Sequence, residues 1–285
     1  MRVFSWNEII SDFASKCFSC GTALSVGSFD GPHLGHKMLF DALSSAAREK
    51  KAASCIVTFT FPLPTIKYPK DYSGDIATLK QRLFEFERLG IDFCVIAEFS
   101  EQFRAMDGAE FLRTLQRHLN MKFIAEGRDF HFGKKGEATI NDIQAFCAKH
   151  KIECVFPDFV YFEGKRISSS EIRSKIKRGL FDDASRLLGR EFELDLRGVP
   201  EKQTTNADVS ADEKNCKRKR IYERAKITQV LPEGGAFSLL VNGTRKKVII
   251  SEKEVAVEDE GALRGEGNLQ QVHSTQLPAR LSPSL

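Results

Sequence analysis

Short apolar segments alternate with longer amphipathic segments over the first two thirds of the chain. The segments around Leu24 and Val26 and at Cys55–Phe59 are uncharged and predict short buried strands. After the first of these, apolar side chains return every three or four positions at Leu39, Leu43 and Ala46, and this spacing predicts a helix. Because strands that alternate with helices are typical of right-handed β-α-β units, the pattern predicts an α/β fold with a mostly parallel sheet.

The same rules predict further elements downstream. Leu79, Leu83, Phe86 and Leu89 indicate an amphipathic helix that ends at Gly90. The other expected elements are a strand at Phe93–Ala97, a helix capped by Asp107 with Phe111, Leu112 and Leu115 buried, strands at Phe123–Ala125 and Cys154–Phe156, and a helix at Ile140–His150.

The C-terminal third has a different pattern. Asp208–Arg224 is highly charged and contains the basic run Lys217–Arg220, so we expect a solvated linker or loop there. Strand-like stretches follow at Ala225–Leu231 and Ala236–Ile250, with Gly234-Gly235 and Asn242-Gly243 as hairpin turns. We therefore expect three parts: an α/β domain over residues 1–192, a small β-rich domain over residues 193–265, and a polar, disordered tail over residues 266–285.

Composition narrows the class of protein. Hydrophobic residues make up 41% of the 285 residues, and the net charge of +4 is too small to indicate a nucleic-acid or membrane surface. Since no run approaches the ~18 apolar residues of a membrane span and no signal core follows Met1, we expect a cytoplasmic protein. The seven cysteines are odd in number, which favours reduced thiols over disulfides; Cys17 and Cys20 form an isolated CxxC pair, too little to favour zinc or redox chemistry.

The segment GSFDGPHLGH, residues 27–36, links the first predicted strand to the first predicted helix. Glycines relax the backbone of the turn, and the free N–H groups at the helix N-terminus favour an anion. His33 and His36 stand three apart around Gly35, so both imidazoles can point to one side. Two histidines, three glycines and an aspartate in ten residues after a strand predict a phosphate-binding turn.

Three later segments also carry candidate chemistry. Phe61-Pro62-Leu63-Pro64 is an extended loop that follows a predicted strand, where ligands bind in open α/β sheets. The segment EGRDFHFGKKG, residues 126–136, supplies Phe130 and Phe132 to wall a planar ring and Asp129 to accept N–H hydrogen bonds. In ISSSEIR, residues 167–173, hydroxyls form a helix N-cap and an arginine follows in the first turns, which suits phosphate oxygens.

These segments together resemble the HxGH nucleotidylyltransferases, and among them the bacterial FAD synthetases. Residues 27–36 match the motif GxFDGxHxGH at every fixed position, and the loop after residue 126 is similar to GxDFxFG. Residues 167–173 resemble ISSTxxR with Ser170 in place of threonine, and residues 179–190 end in the LLGR of that family. The resemblance covers roughly residues 20–192.

The resemblance implies a Rossmann-like nucleotidylyltransferase domain that transfers AMP from ATP to the phosphate of FMN, with Mg²⁺ bound to ATP. It implies small-molecule substrates, and no nucleic-acid or membrane partner, and leaves the oligomeric state open. Catalytic roles fall on His33, His36 and Arg173, ATP contacts on Gly27, Ser28, Phe29, Asp30, Gly31, Gly35, Ser168, Ser169 and Ser170, and FMN contacts on Phe61, Pro62, Pro64, Asp129 and Phe130, with no protein metal ligands.

The chain departs from the family pattern at two places. Leu63 and Thr60 replace a histidine and an acidic residue of the proline loop. The GFPTAN motif of the riboflavin kinase domain is not intact in Arg197–Asp208, so we expect no kinase activity. Two alternatives remain open: a nucleotidylyl transfer to a different phosphate or alcohol, and a non-catalytic protein that binds flavin or nucleotide.

Overall fold

The computed structural model describes residues 1–11, 15–62, 72–207 and 217–258. Its strands are β1 (Arg2–Ser5), β2 (Thr22–Val26), β3 (Ala53–Phe59), β4 (Phe93–Ala97), β5 (Met121–Ala125), β6 (Glu153–Val155), β7 (Tyr161–Phe162), β8 (Lys165–Arg166), β9 (Glu193–Leu194), β10 (Glu201–Ala207), β11 (Lys217–Glu223), β12 (Gly235–Val241), β13 (Thr244–Ile250) and β14 (Glu254–Glu258). Its α-helices are α1 (Trp6–Ile10), α2 (Leu34–Glu49), α3 (Leu79–Arg88), α4 (Glu101–Ala105), α5 (Gly108–Leu119), α6 (Ile140–His150), α7 (Ser169–Lys177) and α8 (Phe181–Leu188). Leu63, Pro64 and the expected tail lie outside the described residues.

Six parallel strands form the first sheet, in the order β1-β4-β3-β2-β5-β6. β2 lies between β3 and β5, so successive β-α-β units run outward from it in opposite directions. Such a reversal leaves a crevice at the carboxyl ends of the two central strands, which is where open α/β sheets bind ligands. The predicted α/β fold with a parallel, Rossmann-like sheet is confirmed.

Most predicted elements of this part form within a residue or two of their expected bounds. Asp107 caps α5 by accepting a hydrogen bond from the Glu110 N–H at 2.7 Å, as expected of an acidic N-cap residue. Phe111, Leu112 and Leu115 are buried beneath it. β1 and α1 were not predicted, because a four-residue strand with one exposed side carries little periodic signal.

The predicted amphipathic helix α3 forms, but its buried side differs in part from the apolar positions of the sequence. Phe86 is fully buried and Leu83 packs against the same cluster while partly buried, but Leu79 is only partly buried and Leu89 is exposed. Arg82, which is 1% exposed, occupies the remaining space, because it has backbone carbonyls to bind there. The helix ends near the expected place, with Gly90 at φ 77°.

The C-terminal strands form a second sheet in the order β10-β11-β14-β13-β12-β9. The hairpin between β12 and β13 turns at Asn242-Gly243, both in the left-handed region, as predicted. Two predictions were wrong here. Lys217–Glu223 is strand β11 and not a solvated loop, because its backbone pairs with β10 on one side and with β14 on the other. Ala225–Leu231 is irregular, with a single bridge, Asp75↔Gln229, to the first part of the chain.

The two parts share a hydrophobic core. Ile172 and Phe181, from α7 and α8, belong to the same buried cluster as Leu239 and Val248 of the second sheet. The Phe181 ring lies edge-on to Phe237 at 5.0 Å between centroids. The second sheet therefore packs directly behind the helix that carries the predicted phosphate-binding hydroxyls.

Candidate active site

A cavity of about 900 Å³ opens at the carboxyl ends of the central strands. Val26 at the end of β2, Phe59 at the end of β3 and Glu126 directly after β5 lie on its floor or walls. This is the position expected from the reversal of strand order, and its size suits a small-molecule ligand.

Glu126 lies beyond the last paired residues of β2 and β5, which are Leu24 and Ile124. Its side chain is 1% exposed, and Oε1 accepts a hydrogen bond from the Val26 N–H at 2.5 Å. Burial raises the pKa of Glu126 well above its usual range, while the hydrogen bond from Val26 acts in the opposite direction. The carboxyl group thus takes the place of a strand partner where β2 and β5 diverge.

His33 and His36 stack on each other at the N-terminus of α2. Their ring centroids are 3.7 Å apart with planes 18° from parallel, and His33 is 7% exposed. A Cβ at Gly35 would lie 2.9 Å from the His33 ring and 3.0 Å from the Ile167 carbonyl oxygen. The His33 ring thus occupies the space that a side chain at residue 35 would need.

Hydrogen bonds hold both rings in place, and one of them fixes the tautomer of His36. Ser169 Oγ donates to the Asp30 carbonyl oxygen at 3.2 Å and contacts His33 Nε2 at 3.4 Å. His36 Nδ1 accepts from the His33 backbone N–H at 3.4 Å, which leaves the proton on His36 Nε2.

Both histidines are neutral at physiological pH. Burial lowers the pKa of His36 to about 3, with the positive charge of Arg190 as the next cause. Burial also holds the pKa of His33 well below its usual value, and the neighbouring His36 and Arg190 add to the effect. As neutral donors the imidazoles can hydrogen-bond to phosphate oxygens without an ion pair.

Arg173 reaches the same end of the cavity from α7. Its Nε donates to the Gly74 carbonyl oxygen at 2.9 Å, and its Nη2 forms an ion pair with Asp30 Oδ2. Asp30 Oδ1 accepts from the backbone N–H of Ile76 at 2.8 Å. Burial raises the pKa of Asp30, and the Arg173 charge opposes that shift. The aspartate of the first motif thus fixes Arg173 and the segment beside it.

The three serines of the second motif differ in their environment. Ser168 caps α7 by accepting from the Glu171 N–H at 3.3 Å. Ser169 joins Asp30 to His33 as described above. All three serines border the cavity, next to a helix N-terminus that favours anions.

Aromatic side chains form the opposite wall of the cavity. Phe59 stacks on Phe99 at 4.4 Å, and Phe130 stacks on Phe132 at 5.5 Å between ring centroids. Pro62 is buried at the same wall. Phe61, expected to contact FMN, is 55% exposed and does not border the cavity.

Three residues of the first motif shape the turn. Gly31 has φ 63°, and a Cβ there would lie 2.4 Å from Ile76, so it supports the turn and does not border the cavity. Phe29 packs edge-on to His36 at 5.2 Å and belongs to the core cluster. A Cβ at Gly27 would lie 2.9 Å from the Phe29 ring. Ser28 borders the cavity, and its carbonyl oxygen accepts a hydrogen bond from Arg82.

Sequence reasoning missed Arg166 and Phe159 on the cavity wall. Arg166 donates to Asp129 Oδ2 at 2.6 Å, and its guanidinium lies 3.6 Å from the Phe159 ring centroid. The predicted Asp129 is therefore paired with a cation in this structure. An arginine directly before the serine motif was the available signal, but only the hairpin of β7 and β8 brings it to Asp129.

Within the described ranges, no cluster of three or more His, Cys, Asp or Glu side chains could hold a metal ion. The six cysteines of those ranges are free thiols. The helices of this described part of the chain all fall short of the length and apolar character that a membrane crossing requires.

A model of the family described as FAD synthetase matches residues 16–171, which is more than half of the chain. The chain belongs to the FAD synthetase family. The FAD synthetase of Listeria monocytogenes is 26% identical to this family member over 174 residues, which cover 61% of this chain and 71% of that protein. The bifunctional riboflavin kinase/FMN adenylyltransferase of Buchnera aphidicola is 26% identical over 186 residues, 65% of this chain and 60% of that protein.

This FAD synthetase family member also has a neighbour among solved structures. A crystal structure of a protein described as a macrolide-efflux protein, from Streptococcus pneumoniae, has a TM-score of 0.62 and 22% identity, over 84% of this chain and 92% of that chain. That likeness shows the fold alone. The match to the Buchnera protein spans only three fifths of that relative's length.

Proposed function

We propose that this protein is an FMN adenylyltransferase, which transfers AMP from ATP to the phosphate of FMN and gives FAD and pyrophosphate. The observation that carries the proposal is the convergence of His33, His36, Ser169 and Arg173 at one end of a cavity whose other wall is aromatic. The polar end suits a triphosphate and the aromatic end a flavin ring. Membership of the FAD synthetase family supports this assignment.

The chemistry needs positioning more than proton transfer. The phosphate monoester of FMN has a second pKa near ~6, so it is largely dianionic at neutral pH and requires no protein base. An FMN phosphate oxygen attacks the α-phosphorus of ATP, the bond to the β-phosphate oxygen breaks, and pyrophosphate leaves. Catalysis is then alignment and stabilisation of charge on the transferring and leaving phosphates.

We assign roles by chemistry and place. The imidazole N–H groups of His33 and His36 donate to oxygens of the transferring and leaving phosphates. Arg173 supplies the positive charge at the β- and γ-phosphate end, with the α7 N-terminus beside it. ATP enters as its Mg²⁺ complex, since Mg²⁺ usually keeps water and phosphate oxygens as ligands. Phe130, Pro62 and Asp129 hold the flavin.

The direct test is turnover by the purified chain. With FMN, ATP and Mg²⁺, we expect FAD and pyrophosphate in equal amounts, measured by chromatography of the flavins and a coupled pyrophosphate assay. His36→Ala should lower kcat/KM by roughly 100- to 1000-fold, the effect of one donor to a developing negative charge. Lys37→Ala, an exposed neighbour on the same helix, is the matched control and should leave turnover unchanged.

Two outcomes contradict the proposal. If the protein binds ATP and FMN but makes no FAD, it is a binding protein and not this enzyme. If FAD forms and His36→Ala remains within about threefold of the wild type, the role assigned to His36 is wrong.

A further inference from the structure

Residues 72–77, named the strap below, lie between the candidate active site and the second sheet. On the active-site side, Ile76 and Ala77 donate their N–H groups to Asp30 Oδ1 at 2.8 and 3.3 Å. Gly74 accepts from Arg173 Nε at 2.9 Å. Asp30 and Arg173 form an ion pair with each other. The strap is therefore bonded to both members of the pair that borders the phosphate end of the cavity.

The other side of the strap is bonded to the segment before β12. The Asp75 N–H donates to the Thr228 carbonyl oxygen at 2.8 Å, and the Val230 N–H donates to the Asp75 carbonyl oxygen at 2.8 Å. Gly74 has φ 115°, and a Cβ there would lie 2.6 Å from the Val230 nitrogen. The contact between the two backbones is thus too close for any side chain at residue 74.

The side chain of Gln229 completes this junction. It is 3% exposed, and its Nε2 donates to the Ile76 carbonyl oxygen at 3.1 Å and to the Glu193 carbonyl oxygen at 2.9 Å. Its Oε1 accepts from the Asp195 N–H at 2.6 Å. An amide whose donors and acceptor are all engaged in a buried site specifies one geometry, because each lost bond leaves a buried polar group unpaired.

We propose that Gln229 is a positioning residue for the nucleotide end of the active site, and that the second sheet acts on Asp30 and Arg173 through the strap. Gln229 fixes Ile76, the N–H of Ile76 fixes Asp30, and Asp30 fixes the guanidinium of Arg173. The family match ends at residue 171, so this contribution comes from outside it. The inference rests on the proposed function for the identity of the nucleotide as ATP.

The first test compares two amides of the second part of the chain. Gln229→Ala should weaken binding of α,β-methylene-ATP, a non-transferable ATP analogue, by about tenfold in calorimetric titration, because Arg173 loses its fixed orientation. FMN binding, followed by flavin fluorescence, should change by less than about twofold. Asn242→Gly is the matched control, since it removes a side chain that accepts from the Leu196 N–H but touches no part of the strap. It should leave both affinities unchanged.

A second variant perturbs the same junction without altering Gln229. Gly74→Ala places a methyl group against the Val230 nitrogen and should reproduce the loss of analogue affinity. Gly198→Ala is its control: this glycine also has a positive φ, of 86°, but a Cβ there meets no atom within 4 Å. Since both substitutions strain the backbone, a difference between them reports the strap contact.

A double-mutant cycle separates positioning from general destabilisation. In an Arg173→Ala background, Gln229→Ala should weaken analogue binding by less than about twofold further, because the residue through which it acts is already gone. A second tenfold loss in that background would overturn the proposal, as would unchanged analogue binding in Gln229→Ala. If the analogue binds as expected but no FAD is made, the proposed function fails while the positioning role stands.

Discussion

The orientation of the Arg173 guanidinium is fixed by the groups that surround it. A free arginine side chain has many rotamers, but here Gly74 accepts from Nε and Asp30 pairs with Nη2. The guanidinium has five N–H donors in a rigid plane, so two anchored donors orient the others. Its position next to the N-terminus of α7 places that plane where phosphates are favoured.

Arg173→Ala should therefore raise the KM for ATP by about 30-fold or more while FMN binding changes little, because only ATP carries the β- and γ-phosphate charge. Arg173→Lys should not restore the KM for ATP, since an ammonium cannot reproduce the planar fork. Initial-rate kinetics with ATP and a flavin titration separate the two substrates. Equal losses for both would place Arg173 elsewhere.

His36 predicts a dependence of stability on pH. Its pKa in the folded protein, about 3, lies below the unfolded value of about 6.5. The unfolded state therefore binds more protons between these values, so the contribution of His36 to stability is complete above about pH 6.5 and is lost as the pH falls toward 3. The variant His36→Gln has no titratable group at this position, so it lacks this pH-dependent contribution to stability.

The free energy of unfolding of the wild type should fall by about 1.4 kcal/mol more than that of His36→Gln between about pH 7.5 and pH 5.5. Urea unfolding of both proteins at the two pH values measures this difference. The buried carboxyl groups of Asp30 and Glu126 have raised pKa values, so they also make stability depend on pH. Because both proteins contain them, their contribution cancels in the difference between wild type and His36→Gln. Parallel pH profiles would show that His36 titrates normally.

At the scale of elements, α3 holds the two strand ends that border the cavity. Arg82 donates to the carbonyl oxygens of Ser28 after β2, and of Phe59 and Thr60 at the end of β3, at 2.8 to 3.1 Å. A fourth partner is Thr58 Oγ1 at 3.0 Å. One buried cation thus satisfies carbonyls that have no strand partner where β2 and β3 end.

Arg82→Met should lower the free energy of unfolding by about 3–5 kcal/mol, because it leaves these buried carbonyl oxygens without donors. Lys80→Met, an exposed position on the same helix, is the control and should change stability by less than about 0.5 kcal/mol. Chemical denaturation of both variants gives the comparison. A small loss for Arg82→Met would mean that water replaces the guanidinium in the loops.

The loop after β5 forms part of the aromatic wall of the cavity, so we expect a substitution there to affect flavin binding. Phe130 is only partly buried, stacks on Phe132 and borders the cavity. Phe130→Ala should raise the KM for FMN by about tenfold with little change for ATP, because an aromatic wall contacts the flavin alone. Steady-state kinetics with each substrate varied in turn measures this. An unchanged KM for FMN would assign Phe130 to the core.

At the scale of the whole molecule, a buried hydrophobic cluster joins the second sheet to α7 and α8 of the first part of the chain. The segment Arg197–Asp208, in which the GFPTAN motif is not intact, contains strand β10, which pairs with β11 from Glu201↔Tyr222 to Ala207↔Lys217. Its only glycine between Arg197 and Asp208 is Gly198. A riboflavin kinase site needs a glycine-rich turn that presents hydroxyl and amide groups to nucleotide phosphates.

We therefore expect no phosphorylation of riboflavin. Incubation of the full chain with riboflavin, ATP and Mg²⁺, followed by chromatography, should give neither FMN nor FAD. The same preparation supplied with FMN should give FAD, which serves as the positive control. Accumulation of FMN from riboflavin would show that the second sheet carries a kinase site of a different design.

The local sequence determined much of this protein. The parallel α/β order, the caps at Asp107 and Ser168, the turn at Asn242-Gly243 and the link from strand to helix at residues 27–36 were all predicted, because periodicity, capping and turn geometry depend on neighbours a few residues away. The motifs also grouped the histidines with the serine and arginine segment.

Only the tertiary structure decided how these groups are held. From the sequence, Arg82 is expected to be a solvated residue of an amphipathic helix. In the structure it is buried, because strand ends 22 to 54 positions away supply its hydrogen-bond acceptors. Arg166 meets Asp129 across 37 positions, and Gln229 reaches the strap across 153. The charge of Lys217–Glu223 favours a solvated loop, but pairing with β14 makes it a strand. Such contacts leave no periodic mark on the sequence, because their partners are brought together by the packing of whole sheets.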